Sequence, residues 1–226
     1  MTHPSSSHRA ARPRPRVILV TDPAFGDDAI VRCVETSARA LPGGWLWVQL
    51  RDKRRARASL RVFASRLRLV THAVGAGLVI NGDAVIARDV GADGVHLGGG
   101  AGTVELVRAR SGAGKWVSVA AHSDDDVRRA VLAGADAVLV SPVFDSRPPS
   151  SAEAPKAGRG LDAVRSARAL AEGRLLVYAL GGIDSNRASA CVKAGADGVA
   201  VLRALLASAK PASAARALYD SLARRC

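Results

Sequence analysis

The sequence contains little cysteine, few aromatic residues and little lysine. Its three cysteines in 226 residues, Cys33, Cys191 and Cys226, are an odd number at spacings that match no zinc or redox motif. A disulfide framework is therefore excluded, and we expect a reduced, cytoplasmic protein. No apolar run approaches the ~20 residues of a membrane span. The eight Trp, Tyr and Phe residues offer few surfaces on which nucleic-acid bases stack.

The net charge is +13, and almost all of the 33 basic residues are arginine. A basic surface of this size attracts phosphate groups, but the scarcity of aromatic residues argues against specific nucleic-acid recognition. Residues 1–16 (MTHPSSSHRAARPRPR) have no apolar periodicity and lack the apolar segment of a secretory signal. We expect a disordered basic tail over residues 1–16 and one domain over residues 17–226.

Short apolar runs alternate with longer segments that are rich in Ala and Arg at helical spacing. Ser123 and Asp184 precede two of these segments, where small polar or acidic side chains cap free backbone amides. Alternating strands and helices imply parallel pairing. The predicted strands are 17–21, 45–50, 78–81, 94–97, 116–121, 137–142, 175–180 and 198–202.

A weak repeat supports this organisation. The pattern Gly-Ala-Asp occurs at residues 91–93, 134–136 and 195–197, each time between a predicted helix and a predicted strand. The glycine suits the left-handed position just past a helix end, and the aspartate suits a tight turn. Eight such units in about 210 residues predict an α/β protein that is a single (β/α)8 TIM barrel.

The active site of such a barrel lies at the carboxyl ends of its strands. In strand two, alternation turns Trp47, Gln49 and Arg51 inward, and Lys53 follows just beyond. An inward arginine at a strand end needs a partner anion, so we interpret Gln49 and Arg51 as functional. The neighbouring arginines read as a solvated loop; they are Arg54, Arg55 and Arg57.

Three further polar side chains follow strands three to five. Asn81 points inward on the same alternation, although a lone asparagine is also a common turn former. His96, near the top of strand four, is either a hydrogen-bonded core histidine or a catalytic group. His122 is either a site residue or the start of a helix.

Strand seven runs into Gly181 and Gly182, and strand eight into Leu202 and Arg203. Backbone amides freed by paired glycines before a helix bind phosphate, and barrels of this kind usually hold phosphate in the loops after strands seven and eight. The pattern therefore predicts a phosphate site at these loops, with Arg203 adding a cation.

Six phrases occur in one order over residues 17 to about 208: 48–53, 80–81, 91–98, 141–144, 179–183 and 194–201. On these phrases together the sequence resembles the thiamine phosphate synthase/TenI family. The synthase joins a pyrimidine pyrophosphate to a thiazole phosphate. Pyrophosphate leaves, an electron-rich pyrimidine stabilises the cationic methylene, and the thiazole nitrogen captures it. A departing polyanion is best neutralised by Arg, Lys and Mg²⁺.

The resemblance implies a set of site residues. Gln49, Arg51, Lys53 and Asn81 match the residues that hold the pyrimidine pyrophosphate, and Gly182 matches the thiazole phosphate site. We therefore predict three catalytic residues, which are Arg51, Lys53 and His122. The predicted substrate-binding residues are Gln49, Asn81, His96, Ser146, Gly181, Gly182, Leu202 and Arg203.

The sequence departs from the family pattern at both expected Mg²⁺ carboxylates, where Gly82 and Ala101 stand. The serine expected two residues before His122 is Ala120. The Thr-x-Thr-Lys phrase reads Ser-Arg-Pro-Pro over residues 146–149, and only Ser146 keeps a hydroxyl in register. The histidine that we expect after strand six of a TenI protein is Pro142.

Three functions remain open. A synthase requires that Asp83 or Asp52 recruits Mg²⁺, or that the added arginines replace the metal. A TenI-type thiazole tautomerase needs no metal and would use His96 or His122 for proton transfer. A binding or regulatory protein would keep only the phosphate site. Each of these is compatible with a homo-oligomer.

Overall fold

The fold comes from a computed structural model that describes residues 14–98, 103–112, 114–146 and 156–223. Eight parallel strands pair in sequence order and close into a barrel, because β1 pairs with both β2 and β8. The predicted (β/α)8 architecture is confirmed. The strands are β1 (Val17–Val20), β2 (Leu46–Leu50), β3 (Gly77–Asn81), β4 (Gly94–Leu97), β5 (Trp116–Ala121), β6 (Ala137–Val140), β7 (Leu176–Leu180) and β8 (Gly198–Val201).

Helices surround the strands, and several begin at a polar cap. Ser123 accepts a hydrogen bond from the amide of Asp126, and Asp184 accepts two from the amides of Asn186 and Arg187, as the sequence predicts. The helices are α1 (Asp27–Arg39), α2 (Arg57–Ala73), α3 (Ala84–Asp89), α4 (Val104–Ser111), α5 (Asp124–Leu132), α6 (Gly160–Ala171), α7 (Ser185–Lys193), α8 (Arg203–Leu206) and α9 (Pro211–Ala223).

Strand side chains divide into two layers. Leu46, Val48 and Leu50 belong to the core between strands and helices, whereas Trp47 lies in the separate cluster inside the barrel. Both placements confirm the predicted alternation. The interior cluster comprises Ile18, Val20, Trp47, Val79, Trp116, Ala137, Leu139, Leu176, Tyr178 and Ala200.

Aromatic rings fill the closed end of the barrel, where the strands begin. The ring of Trp116 lies edge-to-face against Trp47 and Tyr178, with centroids 5.3 and 6.3 Å away. The indole of Trp47 also covers Gly77, where an added Cβ would lie 2.5 Å from its Cδ2 atom. Any side chain at position 77 would therefore displace the tryptophan.

The repeated Gly-Ala-Asp phrase makes the same set of contacts three times, and we call this set of contacts a staple. Each glycine has a positive φ, as predicted for a position past a helix end. Each aspartate accepts a hydrogen bond from a backbone N–H of the preceding strand, and it also pairs with an arginine of the helix that leads into that strand. The sets are Asp93 with Leu78 and Arg68, Asp136 with Val117 and Arg108, and Asp197 with Val177 and Arg168.

Residues just before β1 contact the closed end. The Tyr178 hydroxyl donates to the carbonyl oxygen of Pro15 at 2.8 Å, and the Arg16 amide donates to that of Trp45 at 2.9 Å. The rest of the expected basic tail falls mainly on residues 1–13, which lie outside the described residues. Among the described helices, none combines the length and the apolar character needed to cross a membrane.

Candidate active site

Two amide side chains meet inside the mouth, the end of the barrel where the strands finish. Gln49 is buried, and its Nε2 donates to Oδ1 of Asn81 at 3.1 Å. Both side chains point inward as predicted. Within the described residues, the NH₂ group of Asn81 and the carbonyl oxygen of Gln49 have no protein partner. The pair can therefore donate one hydrogen bond to a polar ligand and accept another.

Arg51 is half-buried beside this pair, just past the end of β2. Thr21 holds its backbone, because the Arg51 amide donates to the threonine Oγ1 at 2.9 Å and Oγ1 donates back to the Arg51 carbonyl at 3.3 Å. The Arg51 guanidinium makes no hydrogen bond or ion pair with any described residue, and neither does the exposed Lys53 ammonium. Two cations at this strand end are thus available to an anion.

The loop after β2 is held in place by Arg55, which lies between two aspartates. Arg55 makes a two-pronged contact with Asp27, at 2.6 and 2.8 Å, and its Nε donates to Asp52 at 2.8 Å. Its hydrogen bonds lower the pKa of Asp27. The guanidinium also lies 4.8 Å from the ring centroid of Phe63. The interpretation of Arg55 as a solvated loop residue was therefore wrong, because its side chain is committed to this cluster.

Asp83 is committed in a similar way at the end of β3. Its Oδ1 accepts hydrogen bonds from the amides of Val85 and Ile86, which caps α3, and its Oδ2 accepts one from Nε of Arg57 at 2.7 Å. Burial alone would raise the pKa of Asp83, but the combined effect of these hydrogen bonds is larger and opposite. The pKa of Asp83 therefore lies below its usual value. The carboxylate has a structural partner on each oxygen.

His96 lies in the middle of the mouth as a buried, neutral imidazole. Its Nδ1 is 2.8 Å from Oγ of Ser118, the facing residue of β5. Burial, with smaller contributions from the charges of Arg51 and His122, lowers the pKa of His96 to about 3. At neutral pH the imidazole adds no positive charge to the site.

His122 is exposed at the rim, between the ends of β5 and β6. Its Nδ1 lies 2.8 Å from the carbonyl oxygen of Ser141. A carbonyl oxygen only accepts, so Nδ1 carries the proton and Nε2 remains a free acceptor when the ring is neutral. The His122 amide also donates to Asp126. Both predicted histidines therefore lie in or directly after strands that end at the mouth, but only His122 is exposed to solvent.

The paired glycines after β7 have positive φ angles of 104° and 62°. A Cβ at Gly181 would lie 2.8 Å from Cα of Pro142, and one at Gly182 would lie 2.7 Å from the carbonyl oxygen of Asp145. The loop after β6 therefore packs against these glycines. Among the described residues, no backbone acceptor receives the Gly182 amide, which leaves it available to a phosphate oxygen.

Two more predicted substrate contacts lie at the same end. Arg203, directly after Leu202, is exposed, and no described residue pairs with its guanidinium. Ser146 exchanges two backbone hydrogen bonds with Lys156, at 2.8 and 3.1 Å, which closes the base of the loop after β6. Residues 147–155 of that loop lie outside the described residues.

Sequence reasoning missed two residues that support this site. Ser118 reads as an ordinary strand residue, and Thr21 ends a strand without any motif. The alternation rule alone offered a signal for Ser118, because the register places it beside the inward-pointing His96. Thr21 gives no such signal, since its contact with Arg51 depends on how β1 and β2 end beside each other.

The fold and these side chains define a TIM-barrel protein that has amides, an imidazole and, within the described residues, unpaired cations at its strand ends. The family model described as thiamine monophosphate synthase matches residues 17–205. The chain belongs to this family, and the resemblance drawn from the sequence phrases is confirmed. Its function is thiamine phosphate synthase-like.

Individual thiamine-phosphate synthases are similar to this protein over most of its length. The thiamine-phosphate synthase of Chromobacterium violaceum is 36% identical over 208 residues, which cover 91% of this chain and 96% of that protein. That of Moorella thermoacetica is 33% identical over 185 residues, or 82% and 86% of the two chains. The solved thiamine phosphate pyrophosphorylase from Pyrococcus furiosus superposes with a TM-score of 0.80 at 22% identity, covering 95% and 98%. This last likeness shows the shared fold.

The Mg²⁺ that the family implies does not fit the carboxylates described here. Gly82 has no side chain, and Ala101, which has no carboxylate, lies outside the described residues. Asp52 and Asp83 are engaged by backbone amides and arginines. No group of three or more His, Cys, Asp or Glu side chains in the described ranges could hold a metal ion.

Proposed function

We propose that this protein makes thiamine phosphate from a pyrimidine pyrophosphate and a thiazole phosphate, with release of pyrophosphate. The observation that carries the proposal is the half-buried guanidinium of Arg51, which pairs with no described residue and follows Gln49 of the amide pair by two positions, just past the end of β2. A partly desolvated cation without a protein anion favours binding of a ligand anion. The family relationship supports a pyrophosphate ester as that ligand.

The reaction breaks the bond between the pyrimidine methylene carbon and the pyrophosphate oxygen, and the bonding electrons leave with the oxygen. Arg51 and Lys53 stabilise the negative charge that develops on this leaving group. The amides of Gln49 and Asn81 orient the pyrimidine ring. His96, neutral at working pH, does not oppose the positive charge that develops on the methylene carbon.

The thiazole nitrogen then donates its lone pair to the methylene carbon, which forms the new carbon–nitrogen bond. The thiazole phosphate would bind the Gly182 amide at the end of β7 and the Arg203 side chain at the end of β8. Holding two substrates by separate anion contacts orients the nitrogen towards the carbon, and such positioning lowers the barrier without further groups.

The first test mixes the purified protein with both substrates, in Mg²⁺ and in EDTA, and follows pyrophosphate and thiamine phosphate. We expect product, and we expect Arg51→Ala to lower kcat/KM by about a hundredfold or more, because it removes a charge that acts mainly in the transition state. Arg51→Lys keeps the charge but loses the planar fork, so its activity should fall between the two.

Arg39→Ala is the matched control, since Arg39 is exposed at the last turn of α1, away from the mouth. It removes the same charge and should keep the wild-type rate. Absence of product in Mg²⁺, in Mn²⁺ and in EDTA, from protein that is folded, would contradict the proposed reaction.

His122 favours a second candidate, a TenI-type thiazole tautomerase. Its Nδ1 is held by the Ser141 carbonyl, so its exposed Nε2 is placed to accept a proton at the rim. This function predicts thiazole isomerisation in EDTA that is lost in His122→Gln and kept in Arg51→Ala. An unchanged isomerisation rate in His122→Gln would exclude it.

A further inference from the structure

Asp52 and Asp83, the two acids that could replace the expected Mg²⁺ ligands, have little negative charge to offer. Asp52 accepts the amides of Arg54 and Arg55 on one oxygen and the Arg55 side chain on the other. Asp83 divides its oxygens in the same way between two amides and Arg57. Each acid is thus neutralised by an arginine and used as a local cap.

Asp22, after β1, is a third acid near these strand ends. Its Oδ1 accepts the Ala24 amide at 2.9 Å, and its Oδ2 is shielded from solvent without a protein partner among the described residues. The whole residue is 0% exposed. Because Asp22 is fully enclosed in the described structure, it presents no carboxylate oxygen to a solvated cation at the mouth.

The basic side chains show the opposite arrangement. Arg51, Lys53 and Arg203 follow the ends of β2 and β8, and none of them pairs with an acid in the described part of the chain. Gly82 stands where the family pattern expects a metal-binding carboxylate, with φ +77° and open space around its missing Cβ. The site has therefore lost anionic groups and kept cationic ones.

We propose that the site binds the pyrophosphate group of its substrate through the side chains of Arg51 and Lys53, with Arg51 as the central contact, and that this binding does not require Mg²⁺. The inference rests on the proposed function for its substrate class. Guanidinium groups match phosphate oxygens in geometry and keep their charge at any pH. They can therefore take over the neutralisation that a metal ion provides in a carboxylate-lined site.

Binding of inorganic pyrophosphate, measured by isothermal titration calorimetry in EDTA and in Mg²⁺, tests this directly. We expect binding in EDTA to be at least as tight as in Mg²⁺. Arg51→Ala should weaken it about tenfold or more, as expected for losing a charge-assisted contact. Arg39→Ala should change it less than about twofold, because long-range charge effects are screened by salt.

Restoring a carboxylate at position 82 provides a second test. Gly82→Asp adds a negative charge at open space, and Gly82→Asn adds nearly the same shape without the charge, under the same backbone strain. In EDTA the Asp variant should bind pyrophosphate about fivefold or more weakly than the Asn variant, because like charges repel. Mg²⁺ should narrow that difference. Circular dichroism confirms that both variants are folded.

The outcomes separate this inference from the proposed reaction. Pyrophosphate binding in EDTA without any thiamine phosphate synthesis would support the cation site and overturn the reaction. Binding that appears only with Mg²⁺, or that Mg²⁺ tightens more than tenfold, would overturn the cation site even if product forms. Equal binding by the two Gly82 variants in EDTA would also count against it.

Discussion

Both ends of the barrel contain arginines that pair with aspartates, but the mouth also has an arginine without such a partner among the described residues. At the closed end Arg68, Arg108 and Arg168 each pair with an aspartate that also binds a strand amide. At the mouth, Arg51 has no such partner among the described residues. A paired charge helps to fix one conformation of the chain, whereas an unpaired charge is available to a ligand. The contrast agrees with the general division of these barrels into a stabilising end and a functional end.

A single strand shows the same division. Along β2 the inward positions pass from Trp47, through Gln49, to Arg51 just beyond the strand. Trp47 packs against the ring of Trp116, Gln49 makes one hydrogen bond to Asn81, and the Arg51 side chain makes none with any described residue. A substitution at Trp47 should therefore mainly lower the stability of the fold, whereas a substitution at Arg51 should mainly weaken ligand binding.

Trp47→Ala breaks the closed end and should have the largest effect on stability. It removes a buried ring and leaves a cavity beside Gly77, so we expect a loss of about 3–5 kcal/mol in the free energy of unfolding. Denaturant titration measures this. Leu69→Ala is the control, since Leu69 is 74% exposed, and it should cost less than about 0.5 kcal/mol. A loss below about 1 kcal/mol for Trp47→Ala would contradict the packing described here.

The protonation of His96 should change the free energy of unfolding by an intermediate amount that depends on pH. Its pKa is about 3 in the folded protein and about 6.5 in an unfolded chain. Because the unfolded state takes up the proton first, stability falls as the pH drops below about 6.5 and stops falling near 3. The slope approaches 1.4 kcal/mol per pH unit, or about 2 kcal/mol between pH 6.5 and 4.5.

Unfolding titrations at several pH values, with His96→Gln, test this linkage. That variant should flatten most of the dependence between pH 6.5 and 4.5, because free carboxylates, with pKa values of about 3.9 to 4.3, titrate only at the lower end of this range. His72→Gln, which changes an exposed histidine of α2, should keep the wild-type slope. Equal slopes in the wild type and His96→Gln would show that His96 is not held neutral by the fold.

Lys53→Ala should leave stability almost unchanged and act on the mouth alone. Its ammonium is exposed, so we expect the free energy of unfolding to change by less than about 0.5 kcal/mol. Pyrophosphate binding should weaken by about threefold, because one screened charge is removed. Lys193→Ala, an exposed lysine at the end of α7, serves as the charge-matched control. The same weakening in both variants would indicate a general charge effect rather than a contact.

Sequence reasoning recovered the barrel because its rules are local. Apolar runs and caps mark the elements, and a period of two places Gln49, Asn81 and His96 inside the mouth. It failed where the outcome depends on which long side chains meet. Arg55 lies in a loop with several arginines, which suggests a solvated side chain, yet its guanidinium contacts Asp27 at the start of α1. Asp83 looked available to a metal, but Arg57 and two amides occupy it.

The staple at Asp93, Asp136 and Asp197 divides the barrel into two-strand modules. Strands β3–β4, β5–β6 and β7–β8 each contain one staple, whereas β1–β2 has Gly43-Gly44-Trp45 in the equivalent position and is closed by the backbone of Arg16. The β1–β2 module is thus the part of the barrel where backbone hydrogen bonds replace the staple. Its amides should exchange with solvent deuterium before those of the stapled modules. A circularly permuted chain that starts at α2, the helix that contains Arg68, would keep every staple intact.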